Sequence, residues 1–149
     1  MSVRIRAAVA SEHAALEAVQ RRASLNNPGD REAILANPDA IELPPEQIAA
    51  GHVFVAEKDD AIAGFAAVVP RETAEMDLDA LFVEPHLWGQ GIGRLLIDHC
   101  VDASRQEKKT ALHVIGNPHA AGFYRACGFE LHGTVTTRFG DGLLFRKAI

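Results

Sequence analysis

The sequence predicts an α/β fold of the α+β kind, a central mixed β-sheet of about seven strands flanked by helices. Three observations predict it. Seven short apolar runs alternate or cluster as strands do. A polar turn, Lys58-Asp59-Asp60, joins two of them as an antiparallel hairpin. A strand, a Gly-rich turn, a helix and another strand follow one another between Met76 and Ile115, which makes a βαβ unit with a parallel pair. With 149 residues, 48% of them apolar, the chain suits one domain, 1–149.

Val3 to Ala7 alternates apolar and basic residues as a first strand, and Ser11 stands where an N-cap should precede a helix from Glu12 to Ala23. Leu16, Val19 and Ala23 recur at helical spacing, and Asn26-Asn27-Pro28-Gly29 breaks the pattern before a second helix, Asp30 to Ala36. Pro45 suits the first turn of a short helix ending at Gly51. Val53 to Ala56 and Ile62 to Val69 are the hairpin strands, with Gly64 marking a bulge or a close backbone approach. Met76 to Val83 turns continuously apolar, as a strand entering the middle of a sheet does, and Pro85 ends it.

Leu95, Leu96, Cys100, Val101 and Ala103 form the apolar stripe of a helix reaching about Glu107, followed by a strand from Thr110 to Ile115. Asn117-Pro118 opens a helix that closes at Cys127-Gly128, glycine supplying the C-terminal cap. Phe129 to Thr137 and Leu143 to Lys147 are the last strands, joined by Gly140-Asp141-Gly142.

A formal net charge of −5 argues against a nucleic-acid binder. The first six residues lack an apolar leader, and no run approaches a membrane span, so a cytoplasmic protein is expected. Cys100 and Cys127 fall in predicted helices without metal-ligand spacing and read as buried, reduced thiols. His13, His52, His86, His99, His119 and His132 show no ligand spacing either, so no metal is expected.

Gly89, Gly91 and Gly93 alternate between a buried strand and a helix start, so that backbone N–H groups can converge on an anion. A dinucleotide fingerprint would require glycine where Arg94 stands, and a P-loop would end in Gly-Lys-Ser/Thr, which Gly93-Arg94-Leu95 does not supply.

Leu81-Phe82-Val83-Glu84-Pro85, Gly89-Gln90-Gly91-Ile92-Gly93-Arg94, Asn117-Pro118-His119-Ala120 and Phe123-Tyr124-Arg125-Ala126-Cys127-Gly128-Phe129 together resemble the GNAT N-acetyltransferase family. The element order of the whole chain resembles it too, whereas the first 50 residues, which shape the acceptor site in that family, match only in layout. Trp88 stands where the family's glycine motif commonly opens with Arg or Gln.

The resemblance implies an acetyl-CoA-dependent N-acetyltransferase acting on the amine of a small molecule or peptide, with no nucleic acid and no membrane as partner and a homodimer allowed. The acyl-CoA would thread between the strands ending near Val83 and Ile115. Leu81, Phe82 and Val83 would hydrogen-bond the pantetheine, Gly89, Gln90, Gly91, Ile92, Gly93 and Arg94 would hold the diphosphate, and Asn117 would contact the pantetheine from the far strand. A non-catalytic acyl-CoA-binding regulatory module is the alternative.

Attack of an amine on a thioester needs a proton acceptor and a donor to the departing thiolate. Tyr124, the only tyrosine, lies at the family's general-acid position. For the base three residues stay open. His113, mid-strand between Leu112 and Val114, carries an imidazole that titrates near ~6.5 when unperturbed. Asp77 and Asp79 share a strand face, and a carboxylate of reference pKa ~3.9 would need burial or an ordered water to act.

Overall fold

A computed structural model describes residues 2–27 and 30–149. Among these residues seven strands form one sheet: β1 (Val3–Ala7), β2 (Val53–Lys58), β3 (Ala61–Pro70), β4 (Met76–Val83), β5 (Ala111–Gly116), β6 (Glu130–Thr137) and β7 (Gly140–Ala148). Their spatial order is β1-β2-β3-β4-β5-β7-β6. Every neighbouring pair is antiparallel except β4 with β5. The helices are α1 (His13–Asn26), α2 (Arg31–Ala36), α3 (Pro45–Ala49), α4 (Ile92–Gln106) and α5 (Ala121–Ala126). No helix among the described residues is long and apolar enough to cross a membrane.

The apolar residues of β2 and β3 are continuous because both sheet faces are covered. On one face Leu96, Ile97 and Cys100 of α4 pack with Phe54, Met76, Leu112 and Phe145. On the other Leu16 and Val19 of α1 and Ile48 of α3 pack with Val55 and Phe65. The hairpin turn carries Asp59 and Asp60 at φ 53° and 62°, the left-handed pair that matches strand twist and that a short acidic side chain tolerates.

Two irregularities shape the middle of the sheet. Opposite the β2 step Ala56/Glu57 the partner of β3 jumps from Gly64 to Ile62, and opposite the β3 step Ala67/Val68 the partner on β4 jumps from Ala80 to Leu78. Asp79 is therefore the extra residue of a β-bulge in β4. The bulge inverts alternation: Met76, Leu78, Leu81 and Val83 belong to the α4 face, while Ala80 and Phe82 belong to the α1 face.

Several boundaries differ from the sequence reading. Ser11 is not the cap of α1; a 3-10 turn, Ala10–Glu12, precedes the helix, and Glu12 Oε1 accepts the Val9 amide at 2.9 Å while the Arg6 guanidinium grips the same carboxylate. Gly140 and Gly142 lie inside β7, leaving Arg138-Phe139 as the turn, because Thr137 pairs with Gly140. Cys127 follows α5 rather than lying within it, although it and Cys100 are both free and buried. Of the predicted break after α1, Pro28-Gly29 lies outside the described residues.

Gly64 is a close backbone approach, as its place in the strand suggested. A Cβ there would sit 2.6 Å from the Phe82 carbonyl oxygen and 3.1 Å from Val83 Cα, backbone atoms that cannot step aside. Gly64→Ala should accordingly destabilise the chain by about 1–3 kcal/mol, the usual cost of overpacking. Urea denaturation measures it, and a variant within about 0.5 kcal/mol of the parent would contradict the contact.

Candidate active site

β4 and β5 pair only through Met76↔Leu112 and Asp77↔His113. Beyond that rung they part, and a cleft of about 750 Å³ opens between them, well within the range of ligand sites. Which main-chain groups face it follows from the register. The Glu84 amide donates to Ala63 O at 2.8 Å, so Val83↔Gly64 is a non-hydrogen-bonded pair. The N–H and C=O of Val83, and by period two those of Leu81, consequently point away from β3 toward the opening. Those of Phe82 point to β3 and are used there. The sequence reading that all three residues offer main-chain bonds thus narrows to Leu81 and Val83, with Phe82 committed to its strand partner.

At the open end the chain turns through Gly89 and Gly91, at φ 80° and 82°, into α4, whose first residue is Ile92. Left-handed backbone at both positions requires glycine or strain. The amides of the first helical turn have no intrahelical acceptor and carry the positive end of the helix dipole. Gly93 serves differently: a Cβ there would lie 3.1 Å from Phe123 Cζ, so its hydrogen lets α5 approach α4. Gln90 Oε1 accepts from Lys58 Nζ at 2.8 Å and Arg94 donates to Ala126 O at 3.1 Å, which brings two cations beside the turn. Trp88 Nε1 donates to Val83 O at 2.8 Å, so the residue that departs from the motif ties the turn to the end of β4.

Across the cleft, Tyr124 packs edge-on to Phe123 and Phe129 and tilted on Phe145, all with ring centroids 5.3–5.6 Å apart. Gly116 at the end of β5 makes room for the ring, since a Cβ there would be 2.9 Å from Tyr124 Cε2. The ring is 8% exposed, and its hydroxyl has no hydrogen-bond partner among the described residues. Burial pushes the phenol up to about 12. Asn117 Oδ1 accepts the Ala120 amide at 3.0 Å and its Nδ2 donates to Asp30 Oδ2 at 3.3 Å. The Asn117 side chain thus holds a turn amide and a carboxylate, and the residue lines the cleft in which the resemblance has it contact the pantetheine.

The three base candidates do not come together. Asp79, in the bulge, lines the cleft and accepts from Gln47 Nε2 at 3.1 Å. Asp77 lies at the closed end, where Arg71 Nε donates to it at 2.9 Å. His113 lies on the same last rung, its Nε2 3.0 Å from Glu75 Oε1, and Arg146 Nε reaches that oxygen at 3.1 Å. The His113 and Arg146 contacts hold the Glu75 carboxyl below the usual range. Neither Asp77 nor His113 lines the cleft.

Asp30, which the sequence reading used only as a helix start, does line the cleft. Burial raises its carboxyl above the ordinary value, against the lowering effect of hydrogen bonds from Asn117 and Asn27 and of nearby His119. Among the described residues no group of His, Cys, Asp and Glu could hold a metal ion.

Comparison with known proteins agrees with this geometry. Residues 49–131 match the family model of the acetyltransferase (GNAT) domain. The peptidyl-lysine N-acetyltransferase YjaB of Salmonella typhimurium is 36% identical over 56 residues, which span 38% of this chain and 37% of that protein. A ribosomal-protein-alanine N-acetyltransferase from Brucella melitensis superposes with a TM-score of 0.75 and 25% identity over 98% of this chain and 99% of that one. A PaiA N-acetyltransferase from Thermoplasma acidophilum in complex with coenzyme A gives a TM-score of 0.78 at 16% identity, over the full length of both chains.

Because Tyr124 is the only tyrosine, its ionisation can be followed directly by ultraviolet absorbance. In the folded chain phenolate should not form until about pH 12, against ~10 in urea. The unfolded state then holds fewer protons than the native state between those values, so stability is complete below pH ~10 and falls as pH rises toward about 12. A native transition near ~10 would show that the hydroxyl is solvated.

Proposed function

The chain belongs to the GNAT acetyltransferase family, and on that premise we propose an acetyl-CoA-dependent N-acetyltransferase acting on a primary amine of a small molecule or peptide. The observation that carries this reading is the parting of β4 and β5, which leaves the N–H and C=O of Leu81 and the N–H of Val83 without partners on the wall of a cleft, the Val83 carbonyl being taken by Trp88. Inward polar groups of that kind call for a ligand with amides along its length. The turn from Gly89 to Arg94, with Lys58 beside it, supplies the donors for an anion at one end. Pantetheine between a diphosphate and a thioester has both features.

In this reading the co-substrate supplies an activated acyl carbon, and the protein orients it. Leu81 and Val83 align the pantetheine, and a main-chain N–H of β4 polarises the thioester carbonyl. Tyr124 stands opposite as the donor to the departing sulfur. The unpartnered hydroxyl of Tyr124 favours an enzyme over a regulatory module that merely binds the cofactor. The names of the YjaB and Brucella proteins make a lysine side chain and a peptide N-terminus the first acceptors to try. Two free, buried cysteines suit a reducing cytoplasm.

Acetyl-CoA should raise the melting temperature, by the equivalent of ~2.7 kcal/mol at a hundred-fold excess over Kd, and NAD or ATP should do far less. Equal shifts with NAD, or none with coenzyme A, would sink the assignment. Thiol release from acetyl-CoA against a panel of amines then tests the chemistry. Tyr124→Phe keeps the ring and its packing, so coenzyme A affinity should survive while turnover falls ~10²-fold. A Phe variant as fast as the parent would remove Tyr124 from the mechanism.

A further inference from the structure

We infer that Asp30 receives the ammonium group of the acceptor and takes its proton, with Asn117 as the residue that positions it. The inference rests on the acetyl-transfer reading above and names the acceptor side of the same cleft. Asp30 enters that cleft from the segment between α1 and α2, and Asp79 enters it from the β4 bulge. The two carboxylates are held differently. Asp79 accepts from Gln47, a residue of α3, whereas Asp30 is tied to the element that carries the proton donor.

The tie is short. Asn117 Nδ2 donates to Asp30 Oδ2 at 3.3 Å, and Asn117 Oδ1 accepts the amide of Ala120, which opens the turn into α5 and Tyr124. Gly116, one residue earlier, is the surface on which the Tyr124 ring rests. Residues 116 and 117 therefore fix both the proton acceptor and the sulfur-side donor, and any shift of one is carried to the other.

The charge around Asp30 also fits a cationic guest. His119 faces it from the turn before α5, and Asp79 shares its cleft. Arg22 of α1 is held by Glu84 at 2.9 Å, Arg31 donates to Leu25 O at 3.2 Å and Arg94 of α4 donates to Ala126 O at 3.1 Å. Among the described residues no ion pair includes Asp30. A half-buried carboxylate with amide donors and the His119 imidazole nearby, but in no ion pair, has capacity for one more hydrogen-bonded positive group.

The step balances. One ammonium proton passes to the Asp30 carboxylate and the neutral amine attacks the acyl carbon. The carbon–nitrogen bond forms, the carbon–sulfur bond breaks, and the second surplus nitrogen proton ends on the departing sulfur, which accepts a hydrogen bond from the Tyr124 hydroxyl as its charge develops. Asp30 later returns its proton to water.

The test uses the full chain saturated with coenzyme A. Carbon-13 carboxyl titration should find the Asp30 midpoint above the usual Asp range. Butylammonium, a lysine side chain without its backbone, should lower it because a nearby cation favours the anion. Asn117→Ala should raise it because a donor to the anion is lost. An Asp30 resonance indifferent to butylammonium overturns the assignment. In thiol-release kinetics with the best amine of the panel, Asp30→Asn should lose at least ~10-fold in kcat/KM together with the acid limb of the profile. Asp30→Glu should keep that limb, and Asn117→Ala should move it to higher pH. An Asp30→Asn variant within about twofold of the parent at every pH also overturns the inference. A parent that binds coenzyme A and shows the butylammonium response, yet releases no thiol with any amine, would leave the ammonium site standing and sink acetyl transfer instead.

Discussion

The molecule depends on two strands that hold each other through only two residue pairs. Parallel β4 and β5 meet at Met76↔Leu112 and Asp77↔His113 and then diverge. A divergence inside a sheet is costly, since each main-chain group that loses a partner must find another or be left unsatisfied. It persists here because both strands are anchored on their outer sides, β4 along its length by β3 and β5 along its length by β7. The closed end is stapled by polar contacts among Arg71, Asp77, Glu75, His113 and Arg146, so the two sequence-selected candidates that lie there belong to the device that limits the opening.

The bulge at Asp79 is the second half of that device. Without it Ala80 and Phe82 would stand on the same face as Met76 and Leu78. With it they pack with Phe65 and α1, and Leu81 and Val83 take the α4 face. One inserted residue thus lets β4 complete two cores while its bulged position projects into the cleft. Trp88 reinforces the end of the same strand. Where a longer polar side chain would reach outward from the turn, the indole reaches back to the Val83 carbonyl, coupling the glycine turn to β4. The proposed anion cradle loses one polar side chain by this exchange and gains a fixed position relative to the strand.

Much of this was legible in the residues. The βαβ unit, the hairpin, the close approach at Gly64 and the helix stop at Gly128 each rest on a local rule, and local rules are printed in order along the chain. What was not legible is pairing across the fold. The capture of His113 by Glu75, 38 positions away, and the link of Asn117 to Asp30, 87 positions away, leave no periodicity in either partner's neighbourhood. Ser11 was misread for a nearer reason. The turn ahead of α1 is closed by Glu12, whose side chain is recruited by Arg6 from the adjacent strand, so the residue with the better capping propensity has nothing left to cap.

The burial of Tyr124 constrains what kind of acid it can be in the proposed reaction. A phenol pushed up to about 12 is a weaker acid than a thiol of pKa ~8.5, by a gap worth ~5 kcal/mol against full transfer of its proton to the sulfur. A hydrogen bond from the same hydroxyl has no such cost, because the proton stays on oxygen while negative charge gathers on sulfur beside the aromatic cluster that holds the ring. The proton that finally neutralises the thiolate must then come from the acceptor nitrogen, whose acidity rises steeply once it is bonded to the acyl carbon. That relay works only if the nitrogen's first proton has already gone elsewhere. A carboxylate in the cleft, raised by burial so that it holds that proton longer than an exposed one would, is what the proposed relay demands, and Asp30 lines the cleft with its carboxyl raised in that way.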